Sequence, residues 1–337
     1  MIRAMAALQR GAPLVQIEYE HPVLRSQEIE IAVSYCGVCH SDLSMIENEW
    51  GMTHYPLVAG HEIVGIVVSL GRGATRHKIG DRVGLGWFSE SCMSCLYCMS
   101  GDHNLCLTHA QTIVNRNGGF ATHVSCHEAW ALPLPSSLAA STAGPLFCAG
   151  ITVFNPLLQL NVSPIHKVGV IGLGGLGHIA IQFLNKWGCE VTAFTRSPEK
   201  ESDLKKLGAH AVIDTHNPAH YKRLSKSLDF IISTVNAQLD WKMYLSCLAP
   251  KGKLHLVGAI LNPIPVEPMA LIDRQRTVSG SPLGSPANCQ RMLDFCARHS
   301  ISPITEEYPL SKVNNALERL KSGNVRYRAV LKNDLAI

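Results

Sequence analysis

Residues 36–50 read CGVCHSDLSMIENEW and place a pair of cysteines, a histidine, a serine and an aspartate close together. Thiolates and imidazoles are metal ligands, paired cysteines can carry redox chemistry, and a serine hydroxyl can exchange a proton with a substrate. Alone, the stretch is compatible with a redox pair, a metal site or an ordinary loop that contains thiols. The choice depends on partners elsewhere in the chain.

A second cysteine cluster lies further along the chain, where Cys92, Cys95, Cys98 and Cys106 follow the pattern C-x2-C-x2-C-x7-C. Short spacings followed by a longer return are typical of a closed zinc site with thiolate ligands. Such a site leaves no position for substrate, so we expect it to fold a long irregular segment. An iron–sulfur cluster also uses cysteine ligands, but the remaining sequence gives no indication of electron transfer.

A catalytic zinc needs about three protein ligands and one open position. The candidate ligands are Cys39, His61 and Cys148, with Glu62 directly beside the histidine. A pair of thiolates and one imidazole, with water in the remaining position, form a catalytic zinc site. Taken singly, a cysteine or histidine is more often a packed core residue, so the argument depends on the whole set.

The chain contains 12 cysteines, a high number for a cytoplasmic protein. In a reducing compartment, clustered cysteines indicate metal binding or catalysis rather than disulfides. The scattered cysteines are expected to be small buried hydrophobic side chains: Cys126, Cys189, Cys247, Cys289 and Cys296.

A glycine pattern, G-x-G-x-x-G, is formed by Gly172, Gly174 and Gly177. It follows an apolar strand-like run and opens an apolar helix-like run, the context in which the pattern predicts dinucleotide binding. The first glycine allows the tight turn, the second lets the backbone approach a pyrophosphate, and the third lets helix and strand pack closely. A glycine-rich turn without a ligand is the alternative.

The end of the next strand indicates which dinucleotide binds. An NAD site usually has an acidic residue about 20 positions after the glycines. Here Thr195, Arg196 and Ser197 stand at that place. No carboxylate repels a 2′-phosphate, and Arg196 can pair with one, assisted by Lys200. We therefore expect NADP(H), although Arg196 could instead be an ordinary solvated charge.

These residues need elements to position them, and 337 residues are enough for two domains. To about residue 145, short β-like runs alternate with Gly and Pro turn signals, which predicts a mostly β domain. From about residue 163, strand-like and helix-like runs alternate, which predicts an α/β Rossmann domain with a doubly wound parallel sheet. We expect the final strand, YRAVLK, to return to the first domain. The predicted domains are residues 1–148 with 297–337, and residues 149–296.

The net charge of +4 is spread along the chain, with no dense Lys/Arg run that would indicate nucleic acid or a membrane surface. The most apolar stretch, residues 168–184, is interrupted by glycines and is short for a membrane span. The first residues lack the apolar core of a signal peptide. We expect a cytoplasmic protein.

The motifs CGVCHSD, GHEIVG, the four-cysteine pattern, CAGITVF and GLGGLG occur in the order found in zinc-dependent medium-chain alcohol dehydrogenases. The resemblance covers essentially the whole chain. Within that family the sequence resembles the cinnamyl-alcohol-dehydrogenase-like branch, and most closely the bacterial NADPH-dependent broad-range aldehyde reductases. The resemblance implies a GroES-like catalytic domain and hydride transfer between NADP(H) and an aldehyde/primary alcohol pair.

The resemblance also implies roles at the metal site. Cys39, His61 and Cys148 match the catalytic zinc ligands, and Glu62 matches a carboxylate that can approach the metal. Asp42 matches an acid that orients the ligand histidine. Cys36 matches no ligand. The zinc would polarise the substrate carbonyl as a Lewis acid.

Ser41 matches the hydroxyl that exchanges a proton with the substrate oxygen. His40 and Arg328 match positions near the coenzyme pyrophosphate, and Thr152 matches one near the nicotinamide. We also assign to the coenzyme site Leu173, Gly175, Leu176, Thr234, Val257, Gly258 and Ser281.

One departure concerns Ser44, because many relatives have a proton-relay histidine at this position. A serine does not titrate near neutral pH as histidine does. Either Ser44 relays the proton through water or another group takes over, with His40 as a candidate. We therefore expect a weakened histidine-type pH dependence of hydride transfer. For the substrate pocket we select Trp50, Trp87 and Met52, large apolar groups that suit aliphatic or aromatic aldehydes. Structural roles for the tryptophans are the alternative.

Other interpretations remain at this point. A polyol or sugar dehydrogenase of the same superfamily would favour an acidic residue where Thr195 stands. A zinc-ribbon nucleic-acid-binding protein would need a basic, aromatic-rich surface, which the sequence does not show. By analogy with the family we expect a homodimer, formed by edge strands near residues 276–281.

Overall fold

The computed structural model describes residues 1–335, and the chain divides into two compact units. The first unit consists of Met1–Ile151 and the segment that begins at Leu283, whereas the second is the continuous segment Thr152–Pro282. The chain therefore leaves the first unit once and returns to it.

The strands are β1 (Ile2–Ala6), β2 (Val15–Tyr19), β3 (Glu28–Val38), β4 (Ile63–Leu70), β5 (Arg82–Leu85), β6 (Phe88–Glu90), β7 (Ala110–Gln111), β8 (His123–His127), β9 (Leu132–Pro133), β10 (Lys167–Ile171), β11 (Glu190–Thr195), β12 (Ala211–Asp214), β13 (Leu228–Ser233), β14 (Leu248–Leu256), β15 (Thr277–Gly280), β16 (Thr305–Pro309) and β17 (Arg328–Lys332).

The α-helices are α1 (His40–Ile46), α2 (Leu96–Met99), α3 (Ala140–Ala143), α4 (Ala149–Gln159), α5 (Gly177–Trp187), α6 (Glu201–Leu207), α7 (Pro218–Arg223), α8 (Trp241–Cys247), α9 (Pro268–Ile272), α10 (Pro286–His299) and α11 (Val313–Lys321). Short 3-10 helices occur at His103–Leu105, Glu128–Trp130, Gly144–Phe147, Pro198–Lys200 and Leu310–Lys312.

The first unit is built around a seven-stranded sheet in the order β16-β17-β3-β4-β5-β9, with β8 also paired to β3. The long strand β3 is antiparallel to β4, to β8 and to β17. Its Ile29 and Ile31 are fully buried in the core of the unit, because branched apolar side chains pack well on a pleated surface. The predicted return of the final strand is confirmed, since β17 pairs with β3.

The second unit contains a six-stranded sheet in the order β12-β11-β10-β13-β14-β15, in which every pairing is parallel. The central strands β10 and β13 are almost fully buried, as strands covered on both faces should be. The strand order steps outward in both directions from β10, which is the doubly wound arrangement. The carboxyl ends of β10 and β13 meet at this switch point.

The units differ from the predicted domains chiefly at the second boundary. Helix α10 packs in the first unit, where Met292 lies against Gly150 and its Sδ atom would be 2.9 Å from a Cβ added there. Residues 283–296, which the sequence assigned to the nucleotide domain, therefore lie in the first unit. The last residues of the predicted catalytic domain, Ala336 and Ile337, are outside the described part of the chain.

Among residues 1–335, no single helix is long and apolar enough to cross a membrane. One bent pair, Ala140–Phe147 with Ala149–Gln159, meets the length and composition requirements together.

Candidate metal centre and coenzyme site

The first candidate ligand sits where β3 ends and α1 begins. Cys39 is the N-cap of α1: its Sγ accepts a hydrogen bond from the backbone N–H of Ser41 at 3.3 Å. The carboxylate of Asp42 accepts the backbone N–H of Cys39 at 2.9 Å, which completes a capping box. The helix start thus fixes the direction of the Cys39 thiol.

Three further donor groups converge on this thiol from distant parts of the chain. His61 precedes β4, Glu62 is its neighbour, and Cys148 lies between the 3-10 helix Gly144–Phe147 and α4. The ligand atoms of Cys39, His61, Glu62 and Cys148 all lie within 4.8 Å of one another. The Cys39 Sγ and His61 Nε2 atoms are 3.1 Å apart. Cys148 is partly accessible, whereas the other members of the set are buried.

Asp42 lies directly behind this set and is fully buried. Its Oδ1 accepts a hydrogen bond from His61 Nδ1 at 3.0 Å, so the Nε2 atom of the ring is turned toward Cys39. The same oxygen accepts the backbone N–H of Gly60 at 2.9 Å. A carboxylate behind a histidine ligand fixes its tautomer and orientation. This hydrogen bond is the one expected if Asp42 orients the ligand histidine.

The electrostatics of the set favour a thiolate. Burial alone would raise the pKa of the Cys39 thiol, but a hydrogen bond from Cys148 and the charge of His61 hold it well below its ordinary value. Burial raises the pKa of Glu62, although the positive charge of Arg328 opposes this shift. Arg328 donates a hydrogen bond to Glu62 Oε1, and both side chains are buried.

The structure offers an independent test of whether a metal fits. Glu62 Oε2 is buried and has no hydrogen-bond partner in the described chain, which is costly unless another group compensates it. Thiolate and imidazole donors are the set that zinc prefers. The residues therefore fit a zinc ion held by Cys39, His61 and Cys148, with Glu62 beside it.

Aromatic side chains border the metal ligands. The Trp87 ring makes an edge-on contact with His61, with the centroids 5.0 Å apart. Trp50 contacts Trp87 in the same manner at 5.8 Å. The structure thus brings these predicted pocket residues together next to the ligand set. Met52, the third predicted pocket residue, is 38% exposed.

The four-cysteine segment forms a separate cluster. The sulfur atoms of Cys92, Cys95, Cys98 and Cys106 lie within 4.8 Å of one another. Backbone N–H groups donate to them, from Cys95 to the Cys92 Sγ at 3.3 Å and from Cys92 to the Cys106 Sγ at 3.4 Å. Hydrogen bonds from the backbone of Ser94 and Cys95 lower the pKa of Cys92 to about 5.

No disulfide joins these cysteines. The sulfurs of Cys92 and Cys106 accept backbone N–H groups, whereas burial raises the pKa of the Cys98 thiol. Tetrahedral sets of thiolates hold structural zinc. Since all four positions are protein ligands, this second metal would stabilise the fold of residues 92–106.

The glycine loop of the second unit connects β10 to α5. Gly172 has a φ of +85°, a left-handed conformation that allows the sharp turn after β10. A Cβ at Gly177 would lie 1.8 Å from the Gly172 carbonyl oxygen, so helix and turn touch there. A Cβ at Gly174 would meet no atom within 4 Å. The open space at Gly174 fits a pyrophosphate approaching the helix N-terminus.

The hydroxyl of Thr234, predicted to lie in the coenzyme site, donates to the carbonyl oxygens of Ile171 at 3.1 Å and Gly172 at 2.8 Å. Thr234 therefore supports the glycine loop. At Gly258 a Cβ would lie 2.0 Å from the Val235 carbonyl oxygen, and the neighbouring Val257 N–H donates to Ser233. These residues lie at the carboxyl ends of β13 and β14.

At the end of β11, the Thr195 Oγ1 accepts the backbone N–H of Ser197 at 2.9 Å, which turns the chain. Arg196 and Lys200 are exposed on this turn. No acidic residue stands among positions 195–198. The turn thus presents cations and hydroxyls at the place where an NAD site has its carboxylate.

The other predicted coenzyme residues are distributed over both units. Leu173, Gly175 and Leu176 complete the glycine loop. Thr152 is buried in α4 and is the first residue of the second unit. His40 is exposed at the first position of α1 in the first unit. Ser281 follows β15, and its Oγ lies 2.9 Å from His255 Nε2.

Some contacts were not anticipated from the sequence. Arg328, which the sequence assigns to the pyrophosphate, also pairs through its guanidinium with Glu62 in the described structure. Glu49 was not selected, although it accepts a hydrogen bond from Ser44. His255 was not selected either, and its buried ring lies between the hydroxyls of Ser279 and Ser281.

Residues 25–136 match the family described as alcohol dehydrogenase GroES-like domain, and residues 175–298 match the zinc-binding dehydrogenase family. The chain is 50% identical over 333 residues to the aldehyde reductase AdhA of Synechocystis sp., with 99% of each chain covered. The chain belongs to the zinc-binding alcohol dehydrogenases.

Other members of this family are also similar. A probable cinnamyl alcohol dehydrogenase 8A of Oryza sativa subsp. japonica is 40% identical, with 97% of this chain and 93% of the relative covered. The solved structure of a cinnamyl alcohol dehydrogenase from Sorghum bicolor superposes with a TM-score of 0.94 at 37% identity, covering 98% of this chain and 97% of that one.

Membership of this family confirms the predicted fold class, a GroES-like domain combined with a Rossmann domain. It also confirms the predicted enzyme class, a zinc-dependent oxidoreductase, and agrees with the metal-ligand sets that the structure brings together. The order of the motifs predicted this family, and the similarity over nearly the whole chain supports that prediction.

Proposed function

We propose that the protein is a zinc- and NADP(H)-dependent reductase of aliphatic or aromatic aldehydes that also oxidises the corresponding primary alcohols. The observation that carries this proposal is the buried convergence of Cys39, His61 and Cys148, with a carboxylate oxygen of Glu62 that lacks a hydrogen-bond partner in the described chain. The similarity to an aldehyde reductase over 99% of the chain supports the same reaction.

Zinc held by Cys39, His61 and Cys148 supplies Lewis-acid polarisation of a carbonyl oxygen. The chain's own residues provide the remaining functions. Asp42 orients His61, and the Glu62–Arg328 pair balances charge beside the ligands. Ser41, at the start of α1, is two residues from Cys39, so its hydroxyl is suited to give a proton to the product oxygen in reduction and to take it back in oxidation.

The preference for NADP(H) is supported by the turn after β11. Arg196 can pair with a 2′-phosphate, and Lys200 adds a second positive charge, although Glu199 stands beside it; positions 195–198 contain no carboxylate. Relatives agree: one with 36% identity is named NADP-dependent alcohol dehydrogenase C 1 of Mycolicibacterium smegmatis, and a Helicobacter pylori cinnamyl alcohol dehydrogenase at 30% identity, with a TM-score of 0.90, was solved with NADP(H).

The preference for apolar aldehydes rests on the aromatic contacts next to the metal ligands. Trp87 and Trp50 present ring edges and faces where a polyol would need hydrogen-bonding groups. We further propose a cytoplasmic homodimer. The edge strand β15 leaves one side of its backbone unpaired in the sheet of the second unit, and such edges pair with a symmetry-related copy.

A spectrophotometric assay with both coenzymes tests the reaction and the specificity together. When benzaldehyde or hexanal is added to the purified protein and NADPH, the absorbance of the reduced nicotinamide should decrease. With NADH the decrease should be much slower. Thr195→Asp should shift the ratio toward NADH, because the new carboxylate repels the 2′-phosphate and can hold a ribose hydroxyl. Turnover restricted to polyols, or an unchanged coenzyme ratio in the variant, would contradict the proposal.

A further inference from the structure

The four-cysteine segment makes contacts beyond its own loop. Between Cys98 and Cys106, Asn104 lies in the 3-10 helix His103–Leu105 and is only 4% exposed. Its Nδ2 donates a hydrogen bond of 3.2 Å to the carbonyl oxygen of Leu283, 179 positions further along the chain. A buried amide that reaches a distant carbonyl fixes two segments relative to each other, because either group left unpaired destabilises the structure. The cysteine segment is therefore tied to the residue at which the chain returns to the first unit.

Leu283 lines a narrow apolar crevice beside the candidate metal ligands. The crevice lies wholly in the first unit, and its aromatic walls are Trp87, Phe88, Trp130 and Phe147. Trp87 makes the edge-on contact with His61, and Phe147 directly precedes Cys148. The crevice has room for about one water molecule. A substrate held by its carbonyl oxygen at these ligands would turn its apolar part toward the crevice, so the position of Leu283 limits how wide that part can be.

The two ends of the cysteine segment hold other walls of the same crevice. Ser91, at the beginning of the segment, accepts a hydrogen bond from Trp130 Nε1 at 3.3 Å. Thr112, just after the segment, is 1% exposed. Its Oγ1 donates to the Gly86 carbonyl oxygen at 2.6 Å, and its N–H donates to the Trp87 carbonyl oxygen at 2.7 Å. Contacts from the beginning, middle and end of the segment therefore fix separate walls.

We propose that Asn104 is a positioning residue for the aldehyde pocket: by holding the Leu283 carbonyl, it keeps the crevice narrow and sets the width of the substrate that the enzyme accepts. This inference rests on the proposed function. A single ring, as in benzaldehyde, lies beside Trp87 and needs no wider crevice. A second fused ring, as in 2-naphthaldehyde, has to enter the crevice and displace Leu283. Asn104 acts on the substrate only through Leu283.

Helix α11 supplies a matched control. The Nδ2 of Asn314 donates to the carbonyl oxygen of Leu14 at 2.9 Å, and its Oδ1 accepts the backbone N–H of the same residue at 2.9 Å. This asparagine also joins distant segments of the first unit, 300 positions apart. In the described chain neither Asn314 nor Leu14 lines the crevice. Asn314→Ala therefore removes a contact of the same kind without moving a wall.

The test measures kcat/KM with NADPH for 2-naphthaldehyde and for benzaldehyde in the full-length zinc-loaded enzyme, and takes the ratio of the two values. General losses of folding, zinc or coenzyme affinity lower both values and leave the ratio unchanged. We expect Asn104→Ala to raise the ratio by about 3- to 10-fold, the effect of losing one net hydrogen bond. Asn104→Gln keeps an amide donor and should raise the ratio less. Asn314→Ala should retain the ratio of the parent enzyme.

A double-variant cycle tests whether Asn104 acts through Leu283. Leu283→Ala removes the wall and should raise the ratio by itself. Adding Asn104→Ala to it should have little further effect, because both changes act through one side chain. Calorimetric binding of the unreactive amides 2-naphthamide and benzamide to the enzyme–NADPH complex should show the same change of preference without turnover.

Zinc content and thermal unfolding are measured on each variant. An unchanged ratio in a folded Asn104→Ala variant that keeps its zinc would overturn the inference, as would additive effects of Asn104→Ala and Leu283→Ala. Loss of folding or of zinc in both Asn104 variants would show that Asn104 has a structural role only, which also overturns it. A parent enzyme that reduces no aldehyde with NADPH would instead overturn the proposed function, whereas an active parent whose ratio does not respond rejects only the role of Asn104.

Discussion

The Asp42 carboxylate positions two candidate metal ligands. Its Oδ1 accepts a hydrogen bond from His61 Nδ1 at 3.0 Å, and its Oδ2 accepts one from the backbone N–H of Cys39 at 2.9 Å. Asp42 and His61 are both fully buried. The distance between the imidazole and the Cys39 thiol is therefore set by a residue that is not itself a member of the ligand set.

Asp42→Ala should release both ligands from this arrangement. We expect zinc affinity at the catalytic site to fall by about 10–100-fold, the usual effect of removing a group that orients a histidine ligand. Competition with a chromogenic chelator measures the affinity. A variant that folds and retains zinc as tightly as the parent would contradict this role for Asp42.

The two sulfur-containing sites should lose metal independently. Cys148→Ser should remove only the catalytic zinc and abolish turnover, whereas Cys98→Ser should remove only the zinc of the four-cysteine segment. In the second variant we expect faster proteolysis within residues 92–106, because structural zinc contributes directly to folding. Elemental analysis and limited proteolysis distinguish these outcomes; simultaneous loss of both metals from either variant would contradict independence.

Substitutions in the glycine loop should affect NADPH binding and protein stability separately. At Gly174 an added methyl group meets no atom within 4 Å, so Gly174→Ala should fold normally and yet bind NADPH about tenfold more weakly, about 1.4 kcal/mol. At Gly177 the same methyl group would lie 1.8 Å from the Gly172 carbonyl oxygen, so Gly177→Ala should lower the melting temperature. Titration calorimetry and thermal unfolding check the pair. Equal effects of the two changes on stability would show that Gly174 is not the open position.

His255 makes stability depend on pH. Burial lowers its pKa to about 4, below the ordinary value of 6.5. The unfolded chain therefore binds a proton at this residue below about pH 6.5, whereas the folded chain binds one only near pH 4. The free energy of unfolding should fall as the pH decreases through this window, by about 3 kcal/mol at most.

His255→Gln should remove that part of the slope, which chemical denaturation at pH 7, 6, 5 and 4 would measure relative to the parent. The control is His54→Gln, at an exposed histidine. The free energy of unfolding of this variant should differ from that of the parent by the same amount at each of these pH values. A constant difference between His255→Gln and the parent from pH 7 to 4 would contradict the prediction.

The sequence predicted most strongly those features that depend on local spacing. The apolar strand before Gly172 and the helix after it are present as β10 and α5, because their periodicity and glycines are read within one short segment. The cysteine pattern from Cys92 to Cys106 is likewise local. The set of Cys39, His61 and Cys148 required similarity to a family, since nothing in their spacing shows that separate loops meet.

Long-range pairings were the features that the sequence did not provide. Arg328 meets Glu62 across 266 positions, so its role depends on β17 crossing to β3. The boundary at residue 282 depends on where α10 packs, which its helical periodicity does not reveal. The Ser44–Glu49 contact is local and had a signal, an asparagine just after the last turn of α1, which allows a left-handed residue at that position.

The discontinuity of the first unit has a consequence for how the protein is made. Ribosomes deliver the amino terminus first, so every strand of the second unit, from β10 to β15, is synthesised before β17. The nascent second unit can fold while the first unit still lacks the strand that separates β16 from β3. Until that strand emerges, the buried Glu62 carboxylate has no Arg328 partner. We therefore expect the charge of Glu62, beside the proposed zinc ligands, to be balanced only after β17 has been synthesised.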